Sequence, residues 1–237
     1  MDWEGSVAVT KGLVCLANSR KYNGRCIAGI DIFDRSNRWI RPVSNRPGEE
    51  VSEVERQYRD GTEPRVLDII SVRLARSRPK SFQQENWLLD DTARWQRGGR
   101  IGWHVLHTLE ERSESLWVND FHSSGGVNDR VPVEHERALV GSLKLIRVAS
   151  VTIQVETPYS PSASKRLTMR ARFRHEGSVY TLRVTDPVYE QKFQVDGPGE
   201  YRLGESFLTV SLAGEEFEGY FYKLVAAIIE RAPGSGR

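Results

Sequence analysis

Short runs of alternating apolar and polar residues, separated by turn-forming residues, recur along this chain of 237 residues. Such runs are typical of β-strands, and many short strands must close into a barrel or stack as sheets to hide their edges. The pattern predicts a mainly β protein of about ten strands. Two small β-barrels in tandem are the favoured architecture, and a single β-sandwich is the alternative.

The first predicted hairpin has Asn23-Gly24 at its tip, a dipeptide that favours the tight type I′ turn between antiparallel strands. We expect Tyr22 to lie opposite Arg25 across this turn. A third strand, Trp39–Val43, would then complete a three-stranded meander.

A second predicted hairpin turns at Glu176-Gly177, between two further alternating runs. A connector rich in Pro and Ser, residues 157–165, precedes it and is typical of a link between domains. We therefore place one barrel in residues 1–155 and the other in residues 156–237.

Residues 81–117 differ in character from the rest of the chain. Large apolar side chains, among them Trp87, Trp95 and Trp103, recur here at spacings that fit helices, with a break at Gly98-Gly99. The pattern predicts a helical insertion in the first barrel.

Composition excludes several classes of protein. The apolar runs are much shorter than a membrane span, and residues 1–10 lack the basic and apolar regions of a signal peptide, so we expect a cytoplasmic protein without membrane contact. Two cysteines, Cys15 and Cys26, are too few for a disulfide framework or a four-cysteine zinc site.

Basic residues are unevenly distributed, although the net charge is only +2. Residues 20–46 carry seven basic and two acidic side chains, and residues 165–174 carry five basic and no acidic ones. Because each segment falls on a predicted hairpin, the pair of them indicates a surface for a polyanion. Ordinary solvated strand faces are the alternative explanation.

The candidate binding residues follow from these two segments. A guanidinium beside an indole offers a fork for phosphate and a flat surface for a base, and neutral side chains add selectivity. Trp39 could instead anchor the core, with Arg41 in a surface ion pair, and Gln84 and Glu85 could instead belong to a helix start. The candidates are Asn18, Ser19, Arg20, Lys21, Arg25, Trp39, Arg41, Gln84, Glu85, Lys165, Arg166, Arg170 and Arg172.

Motifs for catalysis are absent from the sequence, which has no G-x-S-x-G elbow, P-loop or G-x-G-x-x-G. His104, His107 and Glu111 would share one helix face and could hold a divalent ion, but neighbouring aromatic and leucine residues favour an ordinary packed helix. Cys15 is expected to be a buried apolar residue. We therefore predict no catalytic residue, no metal and no cofactor.

Four segments carry a family resemblance: KGLVCLANSRKYNGRCIAGI at residues 11–30, WIRPVS at 39–44, FQQENWLLDD at 82–91 and SLAGEEFEGYFYKLVAAII at 211–229. In pattern and order they resemble a group of bacterial dual OB-fold proteins. The resemblance implies two OB-like barrels, the first with the helical insertion, and no established reaction. It also implies a protein partner in a defence or nucleic-acid-processing system.

The expected function is a module that binds single-stranded nucleic acid or a nucleotide without catalysing a reaction. Charge favours nucleic acid over an oligosaccharide, which needs no clustered cations. Two alternatives stay open: a nucleotide-processing enzyme with a pocket between the barrels and the insertion, and a protein-binding adaptor that uses exposed sheet edges.

Overall fold

The computed structural model describes residues 8–33, 38–157 and 167–231. The chain forms two compact units, Met1–Val105 and Leu106–Arg237. This division lies within a helix and differs from the boundary expected at 155/156, because the strands just before that boundary pair with strands of the second unit.

The first unit contains a closed five-stranded barrel. Its strands pair in the order β1-β2-β3-β5-β4, and β4 pairs back to β1. A short helix between β3 and β4 and the parallel pairing of β3 with β5 complete an OB-like arrangement. The elements are β1 (Val9–Lys21), β2 (Gly24–Asp31), β3 (Trp39–Val43), α1 (Glu53–Arg56), β4 (Asp68–Ser77), β5 (Asn86–Leu89) and β6 (Gln96–Arg100).

The first hairpin is confirmed, but its register differs from the expected one. Lys21 lies opposite Gly24, and a β-bulge interrupts the pairing between Cys15 and Ala17. Gly24 is needed for a close contact rather than for its backbone angle, since a Cβ atom there would lie 2.6 Å from the carbonyl oxygen of Val51. The turn's left-handed residue is Tyr22, with φ of 48°.

The predicted helical insertion is wrong. Residues 81–117 contain β5, β6 and a single seven-residue helix, α2 (Trp103–Leu109). Trp95 is 2% exposed and packs in the barrel core with Leu13, Ile70 and Leu74. The apolar residues of this segment are therefore spaced to fill the barrel core from short strands and loops, and they do not form one face of a helix.

The second unit repeats the OB-like arrangement with two broken strands. Its elements are β7 (Arg130–Pro132), a 3-10 helix (Val133–Ala138), β8 (Leu143–Val148), β9 (Val151–Glu156), β10 (Thr168–His175), β11 (Ser178–Val184), α3 (Pro187–Asp196), β12 (Gly199–Leu203), β13 (Ser206–Leu212) and β14 (Tyr220–Glu230). β8 pairs with β13, and β9 pairs with β12, in one unbroken register. β8 and β9 thus act as one bent strand, β12 and β13 act as a second one, and the sheet closes on itself.

The second hairpin is confirmed, with its turn at the expected residues. His175 lies opposite Ser178, and both turn residues, Glu176 and Gly177, have positive φ angles of 44° and 79°. Such angles define the two-residue turn that fits the right-handed twist of paired strands. The hairpin positions β10 and β11 side by side, with Phe173 and Tyr180 stacked in the core.

Candidate functional site

Two of the predicted contacts at the first hairpin stabilise the barrel itself. The Asn18 amide donates a 2.8 Å hydrogen bond to the carbonyl oxygen of Pro64. Ser19 is 6% exposed, and its hydroxyl donates to the carbonyl oxygen of Cys26 over 3.4 Å. Both side chains therefore form contacts within the barrel.

Arg41 and Glu85 form a buried ion pair. Parallel pairing of β3 with β5 places Arg41 opposite Asn86, so that its Nη1 lies 3.2 Å from Oε1 of Glu85. Both side chains are 5% exposed. The predicted roles of Arg41 in phosphate capture and Glu85 in ligand contact are therefore wrong, because solvent and ligand do not reach them.

The remaining candidates of the first barrel lie on β1, β2 and β3 and just before β5. Trp39 is half-buried at the start of β3, and the exposed Gln84 donates its amide to the carbonyl oxygen of Ser81. Arg20, Lys21 and Arg25 are half-buried near the hairpin tip. β1 and β2 are buried on both faces over residues 13–17 and 27–31, which leaves no open sheet surface there for a strand of nucleic acid.

The second barrel presents an exposed array of arginines on the outer surface of β10, β11 and β12. Side chains alternate between the two faces of a strand, so Arg170, Arg172 and Arg174 of β10 all point outward while Ala171 and Phe173 point into the core. Arg170 and Arg172 are predicted binding residues, whereas Arg174, Arg183 and Arg202 are not among the candidates from the sequence. We call Arg170, Arg172, Arg174, Arg183 and Arg202 the arginine face.

Strand register brings the five side chains together. Arg183 of β11 lies directly opposite Arg170, and Arg202 of β12 shares a row with Arg172 through Thr152 of β9. The alternation along β10 is visible in the sequence, but the rows depend on which strands become neighbours. Lys165 and Arg166 lie outside the described residues.

Few carboxylates neutralise the arginine face. Arg170 lies 3.6 Å from Glu156, and Arg174 donates a 3.4 Å hydrogen bond to the carbonyl oxygen of Gly177. Arg172, Arg183 and Arg202 form no ion pair within residues 8–33, 38–157 and 167–231. Their guanidinium groups are therefore available to an anion from solution.

A groove of about 300 Å³ opens on this face. Its lining consists of Ala149, Ser150, Thr152, Arg172, Phe173, Arg174 and Val179, of which Phe173 is only 3% exposed. Ser150 lies at the bend between β8 and β9, where the continuous strand is broken. The groove thus combines cationic and neutral hydrogen-bond donors.

A loop that borders the arginine face is held by a buried lysine. Lys223 is 1% exposed, and its Nζ donates a 2.6 Å hydrogen bond to the carbonyl oxygen of Val118. Burial lowers the pKa of Lys223 to about 7, although Asp129 and Asp120 act in the opposite direction. The same loop passes over Arg170, since a Cβ atom on Gly125 would lie 2.6 Å from its Nη2.

Catalytic and metal chemistry receive little support from the described part of the chain. No three His, Cys, Asp or Glu side chains lie there as a metal-binding group. Cys15 is fully buried, and burial raises the pKa of its thiol to about 12, which opposes formation of a nucleophilic thiolate. Among the described helices, none has the length and apolar character needed to cross a bilayer.

Comparison with known proteins agrees with the paired barrels. A family described as the dual OB-containing domain matches residues 11–228, which is most of the chain. No curated protein matches the sequence. The family match covers both units, each of which has the OB-like strand order, and the chain belongs to the dual OB-containing domain family.

Proposed function

We propose that this protein binds single-stranded nucleic acid on the arginine face of its second barrel. OB-fold domains are binding modules whose ligands lie on one sheet face and its neighbouring loops. Here the corresponding face carries five arginines, four of which have no ion pair among the described residues. That uncompensated positive charge is the observation that carries the proposal.

Cross-strand charge supports a ligand-binding role for this face. Arg170 and Arg183 are directly opposite each other, and like charges in that position destabilise a sheet. Glu156 offsets part of the repulsion from Arg170. Phosphate groups would offset the rest, because a guanidinium can bind a phosphate through two parallel hydrogen bonds.

A cytoplasmic location and a protein partner in a defence or nucleic-acid-processing system stay predictions beside this proposal. So do the two alternative functions, a nucleotide-processing enzyme and a protein-binding adaptor. Single-stranded nucleic acid is favoured over these alternatives because the exposed cations lie in rows along strands, which suits an extended polyanion.

Binding of a fluorescently labelled oligothymidine, measured by anisotropy at low salt, tests the proposal. The double variant Arg172→Ala/Arg174→Ala should bind at least about 10-fold more weakly than the parent, because two charge-assisted contacts are lost. Arg59→Ala/Arg76→Ala removes the same charge from exposed positions of the first unit and should change affinity less than twofold. Equal losses in both double variants would contradict the proposal.

A further inference from the structure

We infer that the arginine face recognises the sugar-phosphate backbone of a single strand and makes no stacking contact with its bases. This inference rests on the proposed function and narrows it. It predicts a protein that binds single strands irrespective of base identity. The direction of the aromatic side chains, the spacing of the arginines and the partners of the polar side chains on the face all support it.

The aromatic side chains of β9 to β12 belong to the core. Phe173 and Tyr180 stack on each other there, with ring centroids 5.5 Å apart and an interplanar angle of 18°. Tyr201 of β12 packs against Phe193 of α3, with centroids 4.5 Å apart. Since bases bind single-strand proteins chiefly by stacking on exposed rings, these four strands offer them no platform.

The spacing of the arginines suits phosphates. Alternate residues on a strand are about 6.7 Å apart, so Arg170, Arg172 and Arg174 form a line of three cations at regular intervals. That interval is comparable to the separation of successive phosphates in an extended single strand. Arg183 lies beside the line on β11, and Arg202 lies beyond β9 on β12 in the row of Arg172, whereas Glu200 occupies the β12 position in the row of Arg170.

The neutral side chains of the face also favour the backbone over base edges. An amide matches the edge of adenine, but the Gln154 amide already donates a 2.9 Å hydrogen bond to Glu200. The groove instead carries the hydroxyls of Ser150 and Thr152 beside Arg172. Hydroxyls beside a guanidinium can donate to phosphate and sugar oxygens of any nucleotide.

Three labelled 12-mers of equal charge test this inference on the full chain: oligothymidine, oligoadenine and an abasic oligomer that keeps the phosphates but lacks every base. Backbone recognition predicts affinities within threefold of one another at a fixed salt concentration. Loss of a single stacked base would cost about fivefold or more. In Arg172→Ala/Arg174→Ala, binding of all three should fall together, whereas Arg59→Ala/Arg76→Ala should leave all three unchanged.

The outcomes separate the inference from the function on which it rests. If oligothymidine binds through the arginine face but the abasic oligomer binds more than threefold more weakly, base contacts exist and the inference is overturned while the proposed function stands. A preference of more than threefold between thymine and adenine has the same meaning. If none of the probes binds, or if the control variant loses as much affinity, the proposed function itself fails.

Discussion

Arg41 and Glu85 illustrate how burial decides the role of a charged side chain. Both residues are candidate ligand contacts in the sequence, Arg41 because it lies two residues after a tryptophan and Glu85 because it lies in a polar stretch. In the barrel their charges face each other at 3.2 Å with almost no access to solvent. Removal of either member of such a pair leaves an uncompensated buried charge.

Glu85→Ala should therefore destabilise the protein strongly. We expect a loss of about 3–5 kcal/mol in the free energy of unfolding, because the Arg41 guanidinium would stay buried without its carboxylate. Urea denaturation followed by tryptophan fluorescence measures the loss. In Arg41→Met/Glu85→Leu the loss should be smaller than in Glu85→Ala, and a double variant less stable than Glu85→Ala would show that the pair does not act as a unit.

The lowered pKa of the buried Lys223 should make the stability of the protein depend on pH. Its pKa falls from 10.5 to about 7 because burial disfavours the charged amine. Between these values the native state has released a proton that the unfolded chain still holds, so stability should increase as the pH rises from about 7 towards 10.5. The slope from this residue alone reaches at most about 1.4 kcal/mol per pH unit.

Lys223→Met isolates that contribution. The difference in unfolding free energy between parent and variant, measured in urea from pH 6 to 9, should shift in favour of the parent as the pH increases above 7. Tyr180, Asn119, Asp120 and Asp129 face the amine in the parent and are retained in the variant, so their own effects largely cancel in the difference. A difference that is constant with pH would show that the buried amine titrates normally.

At the level of strands and turns, both hairpins could be predicted from the sequence, but the register of the first hairpin could not. Glu176-Gly177 encodes its turn locally, since a two-residue loop with positive φ angles accepts such residues. The register of the first hairpin depends on a bulge between Cys15 and Ala17 and on contact of Gly24 with a distant segment. The residues of the turn do not encode either feature, because both depend on contacts with distant segments. The apolar residues around Trp95 also pack against distant strands, so their spacing gave a wrong prediction of helix.

Gly29 at this bulge should not tolerate a side chain. It lies opposite Cys15, and a Cβ atom there would stand 2.2 Å from the carbonyl oxygen of Val14. Because the obstacle is backbone, Gly29→Ala should force the paired strands apart and cost about 1–3 kcal/mol or more of stability. Thermal unfolding measures the change. Gly204→Ala, which adds the same methyl group where no atom lies within 4 Å, should stay within about 0.5 kcal/mol of the parent.

At the scale of the whole molecule, tandem barrels were predictable and the exposure of their charges was not. Strand-length segments and two basic hairpins are local properties of the sequence. Which basic residues face solvent depends on pairing between distant strands, which buries Arg41 in the first barrel and leaves Arg172 exposed in the second. The candidate site therefore moves from the first hairpin to the outer face of β10, with Arg170 and Arg172 retained.

The salt dependence of binding should depend on the arginine face and not on the net charge of the whole chain. With 34 basic and 32 acidic residues, the molecule as a whole attracts a polyanion only weakly, so the salt dependence must come from phosphates neutralised on the arginine face. Three neutralised phosphates predict that the logarithm of the binding constant falls with the logarithm of salt concentration at a slope of about −2.1. Anisotropy titrations with oligothymidine between 25 and roughly 200 mM salt measure it.

Removal of arginines should change that slope in proportion to their number. Arg172→Ala/Arg174→Ala gives up two phosphate contacts, so its slope should become shallower by about 1.4, whereas Arg59→Ala/Arg76→Ala should keep the parental slope. A binding constant that weakens without a change in slope would mean that Arg172 and Arg174 support the shape of the groove rather than contact phosphate. A parental slope near zero would mean that the ligand is held without counterion release, which an arginine face cannot do.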